Sequence, residues 1–286
     1  MYAPRFSIFP LMELGNYNRC QVVREIAYGA VLQCSSGKEV LLPRKYVPAG
    51  VRVGSVLTVF IYLDSEDRPV ATTQEPLAQV DEFASLQVKE VNRTAAFLDW
   101  GLDKDLMLPF REQMFELRPG SWCVVRIYLD QASNRLVATQ RLRPWLDSDV
   151  SFLRPGDECE AKFYEKHEHG LLAVIDGRWS GLLFQDDTPR GLGIGSVGRA
   201  WVKAVSPEGK IRISMTCVGY KAVMEEAQVV IDRLEAAGGS LPYNDFSDPK
   251  DILREFGLSK KAFKKIIGGL FKAGQIVISA DGIRLK

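Results

Sequence analysis

The residues able to do chemistry are few, and their spacing points away from a reaction. The only two histidines, His167 and His169, stand one residue apart beside Glu165 and Glu168. A structural zinc takes four ligands and a catalytic zinc usually three, and two imidazoles on one strand do not reach either number. The five cysteines (Cys20, Cys34, Cys123, Cys159, Cys217) are odd in number, far apart and without a Cys-x-x-Cys pair. They read as reduced thiols of a cytosol rather than a disulfide framework, and no metal site is expected. Gly193-Ile194-Gly195-Ser196-Val197-Gly198 has the form of a dinucleotide fingerprint. That fingerprint needs a strand before it and a helix after it; here a loop precedes and a strand follows, so a turn is the expectation. There is no Walker A loop, no Gly-x-Ser-x-Gly and no His-Glu-x-x-His. The chain is therefore read as a non-enzyme with no cofactor.

What remains is a set of aromatics with cations among them. Tyr28, Phe97, Trp100, Tyr164, His169 and Phe184 can offer ring faces to unpaired bases, and Arg44, Lys45, Lys203 and Arg212 can meet phosphates. Stacking with flanking cations is how small barrels hold single strands. A separate cluster lies between Ser259 and Gly274, where Lys260, Lys261, Lys264, Lys265 and Lys272 occur without one acid. Like charges four residues apart cost about 0.2–0.5 kcal/mol per pair in an isolated helix, so a lysine face of this kind suits a polyanion.

The elements that must position these residues repeat. Ile61-Tyr62-Leu63-Asp64 returns as Ile127-Tyr128-Leu129-Asp130, an offset of 66 that also superposes Gly54-Ser55 on Gly120-Ser121 and Leu42-Pro43 on Leu108-Pro109. A fainter third copy runs from Gly181-Leu182-Leu183-Phe184 through Gly195-Ser196 to Ile211-Arg212-Ile213-Ser214-Met215. In the first copy, Gln21–Ile26, Ala30–Cys34, Glu39–Leu42, Val56–Leu63 and Pro69–Gln74 read as strands parted by turn residues. Five short strands in so little chain favour a closed barrel, since closure removes unpaired edges.

After about Tyr220 the period becomes helical. Val223, Ala227, Val230, Ile231 and Leu234 form one stripe before Gly238-Gly239. Asp248 can cap a helix with Pro249 at its first position, burying Ile252, Leu253 and Phe256 and stopping at Gly257. Ser259 can cap the next, whose stripe is Phe263, Ile266, Ile267, Leu270 and Phe271. Ile276–Ser279 and Ile283–Leu285 flank Asp281-Gly282, a hairpin signal. The fold class is mainly β with a C-terminal α+β module: three tandem five-stranded OB-type barrels, then a winged helix-turn-helix. The expected domains are 1–77, 78–142, 143–218 and 219–286.

Composition limits the function classes. The 286 residues are 46% hydrophobic and 26% charged with a net charge of +1, so nucleic-acid binding cannot be argued from overall basicity. Residues 1–77 carry eight cations against seven carboxylates, 78–142 eight against nine, and 143–220 ten against eleven. No apolar run approaches the ~18 residues of a membrane span, and Met1-Tyr2-Ala3-Pro4-Arg5 lacks the form of a signal peptide. The expectation is a soluble, cytoplasmic protein with no membrane partner.

Val23-Arg24-Glu25-Ile26-Ala27-Tyr28-Gly29-Ala30-Val31-Leu32 resembles the opening of the S-one RNA-binding barrel, and Lys210 to Met215 its last strand. Glu39-Val40-Leu41-Leu42-Pro43-Arg44-Lys45-Tyr46, Leu241-Pro242-Tyr243-Asn244-Asp245 and Phe256-Gly257-Leu258-Ser259-Lys260-Lys261 are more particular. Together they resemble the conserved virulence factor B family of bacteria, three S-one-like barrels followed by a winged helix. The resemblance implies a regulatory RNA-binding protein whose partner is single-stranded RNA. The tyrosine-glycine-alanine opening occurs only at Tyr28-Gly29-Ala30, and the aromatic expected after the Leu-Val-type pair is Pro43, Pro109 and Phe184 in turn. Two other readings stay open: a transcription regulator whose winged helix reads duplex DNA, and a scaffold associated with a ribosome or a nuclease. Oligomeric state is not legible.

Overall fold

A computed structural model describes residues 12–216, 220–279 and 281–286, with side chains of 220–226 left out. Met1 to Arg5, Cys217 and the side chain of Val223 lie outside the described residues. The molecule divides into two compact units, one mainly of barrels and one mainly of the chain after Met215.

The first barrel comprises β1 (Asn16–Ile26), β2 (Gly29–Cys34), β3 (Glu39–Pro43), β4 (Val56–Leu63) and β5 (Pro69–Thr72), closed in the order β1-β2-β3-β5-β4. The second repeats that order with β6 (Phe83–Val91), β7 (Ala95–Asp99), β8 (Leu106–Pro109), β9 (Trp122–Asp130) and β10 (Arg135–Thr139). The third does so with β11 (Glu158–His167), β12 (Gly170–Ile175), β13 (Trp179–Phe184), β14 (Val197–Val205) and β15 (Ile211–Ser214). Each first strand breaks register once against the second, at Val22/Arg24, Val88/Glu90 and Phe163/Glu165. Such a bulge bends the strand and so lets a five-stranded sheet close. Alternate residues fill the interior, as Val22, Leu32, Leu42, Val59 and Ile61 do in the first barrel.

The thiols differ from the sequence expectation. Cys20 and Cys34 form a disulfide. They are 14 residues apart in sequence, but the antiparallel register of β1 on β2 sets them opposite one another. Spacing alone did not reveal that register. Cys123 and Cys159 are buried, and burial pushes the Cys123 thiol up to about 12.

Seams join the barrels. At the first, Phe60 and Tyr62 meet the Trp100 ring edge-on at 5.8 and 6.4 Å, and Lys104 reaches the Asp64 carbonyl at 2.6 Å and Asp67 at 3.0 Å. At the second, Phe83, Val124, Leu142, Tyr164 and Val174 form one buried cluster. The Ser85 hydroxyl donates to the Gly195 carbonyl at 2.5 Å. Gly195 has φ +84°, and a Cβ there would collide with Trp122. The glycine-rich run is thus the turn expected, with a packing duty added.

The C-terminal unit contains α1 (Tyr220–Ala236), β16 (Ser240–Leu241), α2 (Pro249–Phe256), α3 (Lys260–Lys272), β17 (Ile276–Ser279) and β18 (Gly282–Leu285). Asp248 accepts from the Lys250 N–H and Ser259 from the Ala262 N–H, and Gly257 ends α2 at φ 70°, as the capping residues predict. Val230, Leu234, Ile252, Phe256, Phe263, Ile266, Ile267 and Leu270 make its core. Leu253 and Phe271, expected in the apolar stripes, are exposed. Each stands one residue after a buried one, Ile252 and Leu270, and so about 100° round the helix from it. The short strand β16 completes a three-stranded sheet in the order β16-β18-β17.

Candidate nucleic-acid interface

The third barrel assembles a site from three strands. The turn between β11 and β12 carries His169, and the register sets the next residue, Gly170, opposite Phe184 on β13. β15 lies parallel to β13 with Arg212 beside Leu182, two residues before Phe184 and on the same face. The His169 and Phe184 rings are parallel to within 1° with centroids 6.3 Å apart. The Arg212 guanidinium sits over Phe184 at 4.0 Å and reaches Asp187 at 3.3 Å, while its buried Nε has no partner among the described residues. His169 is exposed and Phe184 half-buried. The cluster offers two ring surfaces and a guanidinium held in place, the parts that stacking on an unpaired base requires. Lys203 on β14 is also exposed.

The matching face of the second barrel is different. The positions of His169, Phe184 and Arg212 are taken there by Thr94, Pro109 and Val137, as the pairings Ala95–Pro109 and Met107–Val137 place them. Phe97, half-buried, lines a cleft of about 550 Å³ with Asp67, Glu90, Asp103 and Asp105 among its walls. Of the cations there, Lys104 and Arg135 are both paired to Asp67. A phosphate entering this cleft would meet carboxylates first. Trp100, a candidate for stacking, is 2% exposed and donates its indole N–H to the Lys104 carbonyl. No ring face is left open.

Tyr164, another candidate, is 5% exposed in the seam between the second and third barrels, with its hydroxyl 3.1 Å from that of Ser180. Burial raises its phenol above the ordinary range. Alternation along a strand could not tell an outward ring facing solvent from one facing a neighbouring barrel. In the first barrel Tyr28 is 66% exposed at the β1–β2 turn, and the Arg44 N–H donates to its carbonyl. Pro43 and Val70 stand where the third barrel has Phe184 and Arg212. Arg44 is exposed; Lys45 is paired with Asp103 across the seam, an ion pair and hydrogen bond that hold the Asp103 carboxyl below the usual carboxylate range.

In the C-terminal unit α3 turns Lys261, Lys264 and Lys265 outward and buries Phe263, Ile266 and Ile267. Lys264 pairs with Asp245 at 3.3 Å, and half-buried Lys260 reaches the Phe246 carbonyl at 3.4 Å. Among the described residues Lys261, Lys265 and Lys272 have no carboxylate within ion-pair distance.

Comparison with known proteins recovers the two domain types. Residues 14–74 match the S1 domain, the same domain as the S-one barrel above, and residues 228–285 match the CvfB-like winged helix domain. A protein named conserved virulence factor B, from Staphylococcus aureus strain USA300, is 23% identical over 82% of this chain and 81% of its own. The chain is similar to conserved virulence factor B over most of its length. Bacillus subtilis YitL is 24% identical over 76% of each chain. A Streptococcus pneumoniae crystal structure, described as a multidomain protein with nucleic acid binding domains, is 24% identical with a TM-score of 0.44, covering 96% of this chain and 98% of that one. The matched families are nucleic-acid-binding domains, and they support nucleic-acid binding by this chain. No helix among the described residues is long and apolar enough to cross a membrane.

The sequence reading missed a further group of rings set against guanidinium groups. The exposed Trp145 ring lies on the buried Arg126 guanidinium at 4.0 Å, and the exposed Phe152 ring lies 5.6 Å from that of Arg178. Trp145 and Phe152 fall outside the β-strands on which repeat alignment drew, so no periodic signal marked them.

Proposed function

We propose that the chain is an RNA-binding regulatory protein that grips unpaired RNA on the third barrel and adds phosphate contacts through α3. The observation that carries this reading is the cluster of His169, Phe184 and Arg212, which has no counterpart at the same strand positions of the second barrel. Base–aromatic stacking contributes about 1–3 kcal/mol per base and tolerates any sequence. Lys261 and Lys265 supply charge that the near-neutral barrels lack. The role fits post-transcriptional control, without a catalysed step.

A competition between unpaired RNA, unpaired DNA and duplex DNA on the intact chain tests it. Preference for unpaired RNA is expected, through contacts with the 2′-hydroxyl. Preference for duplex DNA would instead favour a groove-reading winged helix, and no affinity for any nucleic acid would favour a protein scaffold.

A further inference from the structure

The connector between β10 and β11 holds two exposed rings. Trp145, 47% exposed, ends a short 3-10 turn over Arg143–Trp145. Its inner face rests on the guanidinium of Arg126 at 4.0 Å. Arg126 is buried on β9, bonds Asp81 at 2.7 Å, and has one buried nitrogen, Nη1, without a partner among the described residues. Phe152, 67% exposed, lies 5.6 Å from the guanidinium of Arg178, which is itself exposed, sits 4.8 Å from the Trp179 ring and is held by Asp147 through bonds of 2.8 and 3.0 Å.

Burying a guanidinium with an N–H unmet is unfavourable, and leaving an indole half in water forgoes burial. Neither choice serves stability alone. Both serve a ring that must stay put with one face open. An aromatic fixed in advance loses little side-chain freedom when something stacks on it. Because each arginine is already paired with a carboxylate, it adds little attraction for phosphate, so the surface suits bases. Beside Trp145 lies a cleft of about 880 Å³ whose lining includes Tyr128, Asn16, Gln131 and Asn134 together with the carboxylate residues Glu13, Asp81 and Asp130, so that here too phosphate is not the group to be held. The Tyr128 ring is 6.3 Å from Trp145. Amide side chains are suited to hydrogen-bonding base edges.

We propose that Trp145 and Phe152 form a second base-stacking platform, on the connector rather than on a barrel face, whose ligand is the unpaired bases of a single-stranded nucleic acid. This rests on the single-strand reading above and extends its path beyond the third barrel. The platform contributes through ring contact and not through charge.

The test uses the full chain and fluorescein-labelled oligouridylate, with anisotropy measured across a salt series. Trp145→Ala is expected to weaken binding about tenfold at every salt concentration with the slope of log K against log salt unchanged, a loss within the range for one stacked base. Trp145→Tyr should recover most of it. In parallel, oligouridylate carrying 4-thiouridine should crosslink the unaltered chain on peptides containing Trp145 or Phe152. Undiminished affinity in Trp145→Ala, while Phe184→Ala loses affinity, overturns the platform and leaves the third-barrel reading standing. Crosslinks confined to the third barrel do the same, even if Trp145→Ala binds weakly. An intact chain that binds no single strand overturns both.

Discussion

The second and third barrels share strand order, closure and bulge position, yet only the third presents an aromatic–cation cluster on its open face. In the second, the equivalent positions hold Thr94, Pro109 and Val137, and Phe97 faces a cleft walled by Asp67, Glu90, Asp103 and Asp105. Duplication copied the scaffold and not this cluster. The second barrel is flanked on both sides, and its aromatics serve as joints: Trp100 against Phe60 and Tyr62, Phe83 against Tyr164 and Val174. A ring committed to a seam cannot stack on a base.

The sharpest way to break this comparison is to strip each face in turn. Replacing His169, Phe184 and Arg212 together by Ala should weaken single-strand binding by a hundredfold or more, given ~1–3 kcal/mol per stacked base. Phe97→Ala should change it by less than about twofold; a large loss there would restore the second barrel as a binding surface.

The first barrel extends the contrast, since its core holds a bridge where the third has the cross-strand pair Ala161 and Ile175. Reduction, or Cys34→Ser, should lower unfolding free energy by about 3 kcal/mol, the value for a loop of this length. Denaturant titration with and without reductant reads it, and identical curves would mean that the thiols are not linked in solution.

Glycines at one repeat position come next. Gly120 has nothing within 4 Å of an added Cβ, whereas Gly195 would strike Trp122. Both have positive φ, so Ala should cost about 1 kcal/mol at Gly120 and about 2 kcal/mol more at Gly195, where the seam must also open. Thermal unfolding of the two variants checks the difference.

For the charged helix, Lys261→Ala with Lys265→Ala should flatten the salt slope by about 1.4, at ~0.7 per phosphate contact on a single strand. Lys264→Ala should change it less, because Asp245 already neutralises Lys264. An unchanged slope in the double variant would remove α3 from the interface.

The smallest effect concerns acid. Lys104 and Arg135 hold Asp67 below the usual carboxylate range, and Lys45 and Tyr46 do so for Asp103. A carboxylate with a lowered folded-state pKa stabilises the fold above its unfolded value and loses that contribution as pH falls through the folded one. The first seam should therefore loosen below about pH 4, with both groups exposed enough that the change is modest. Hydrogen exchange around Phe97 and Trp100 would register it.

Much of this protein was legible in the chain itself. The 66-residue offset, the turn glycines and the caps Asp248 and Ser259 act over short distances, so they announced the barrels and the winged helix. The lysines of α3 were legible for the same reason, because helical spacing alone turns Lys261 and Lys265 away from Phe263 and Ile266. What tertiary structure alone decided is which outward-facing residues stay outward. Tyr164 and Trp100 look like Phe184 to any local rule, but neighbouring barrels cover the first two and leave the third partly open. Cys20 meets Cys34 through strand register, and Trp145 meets Arg126 across the connector. Contacts of that kind form when distant segments pack, and no run of adjacent residues encodes them.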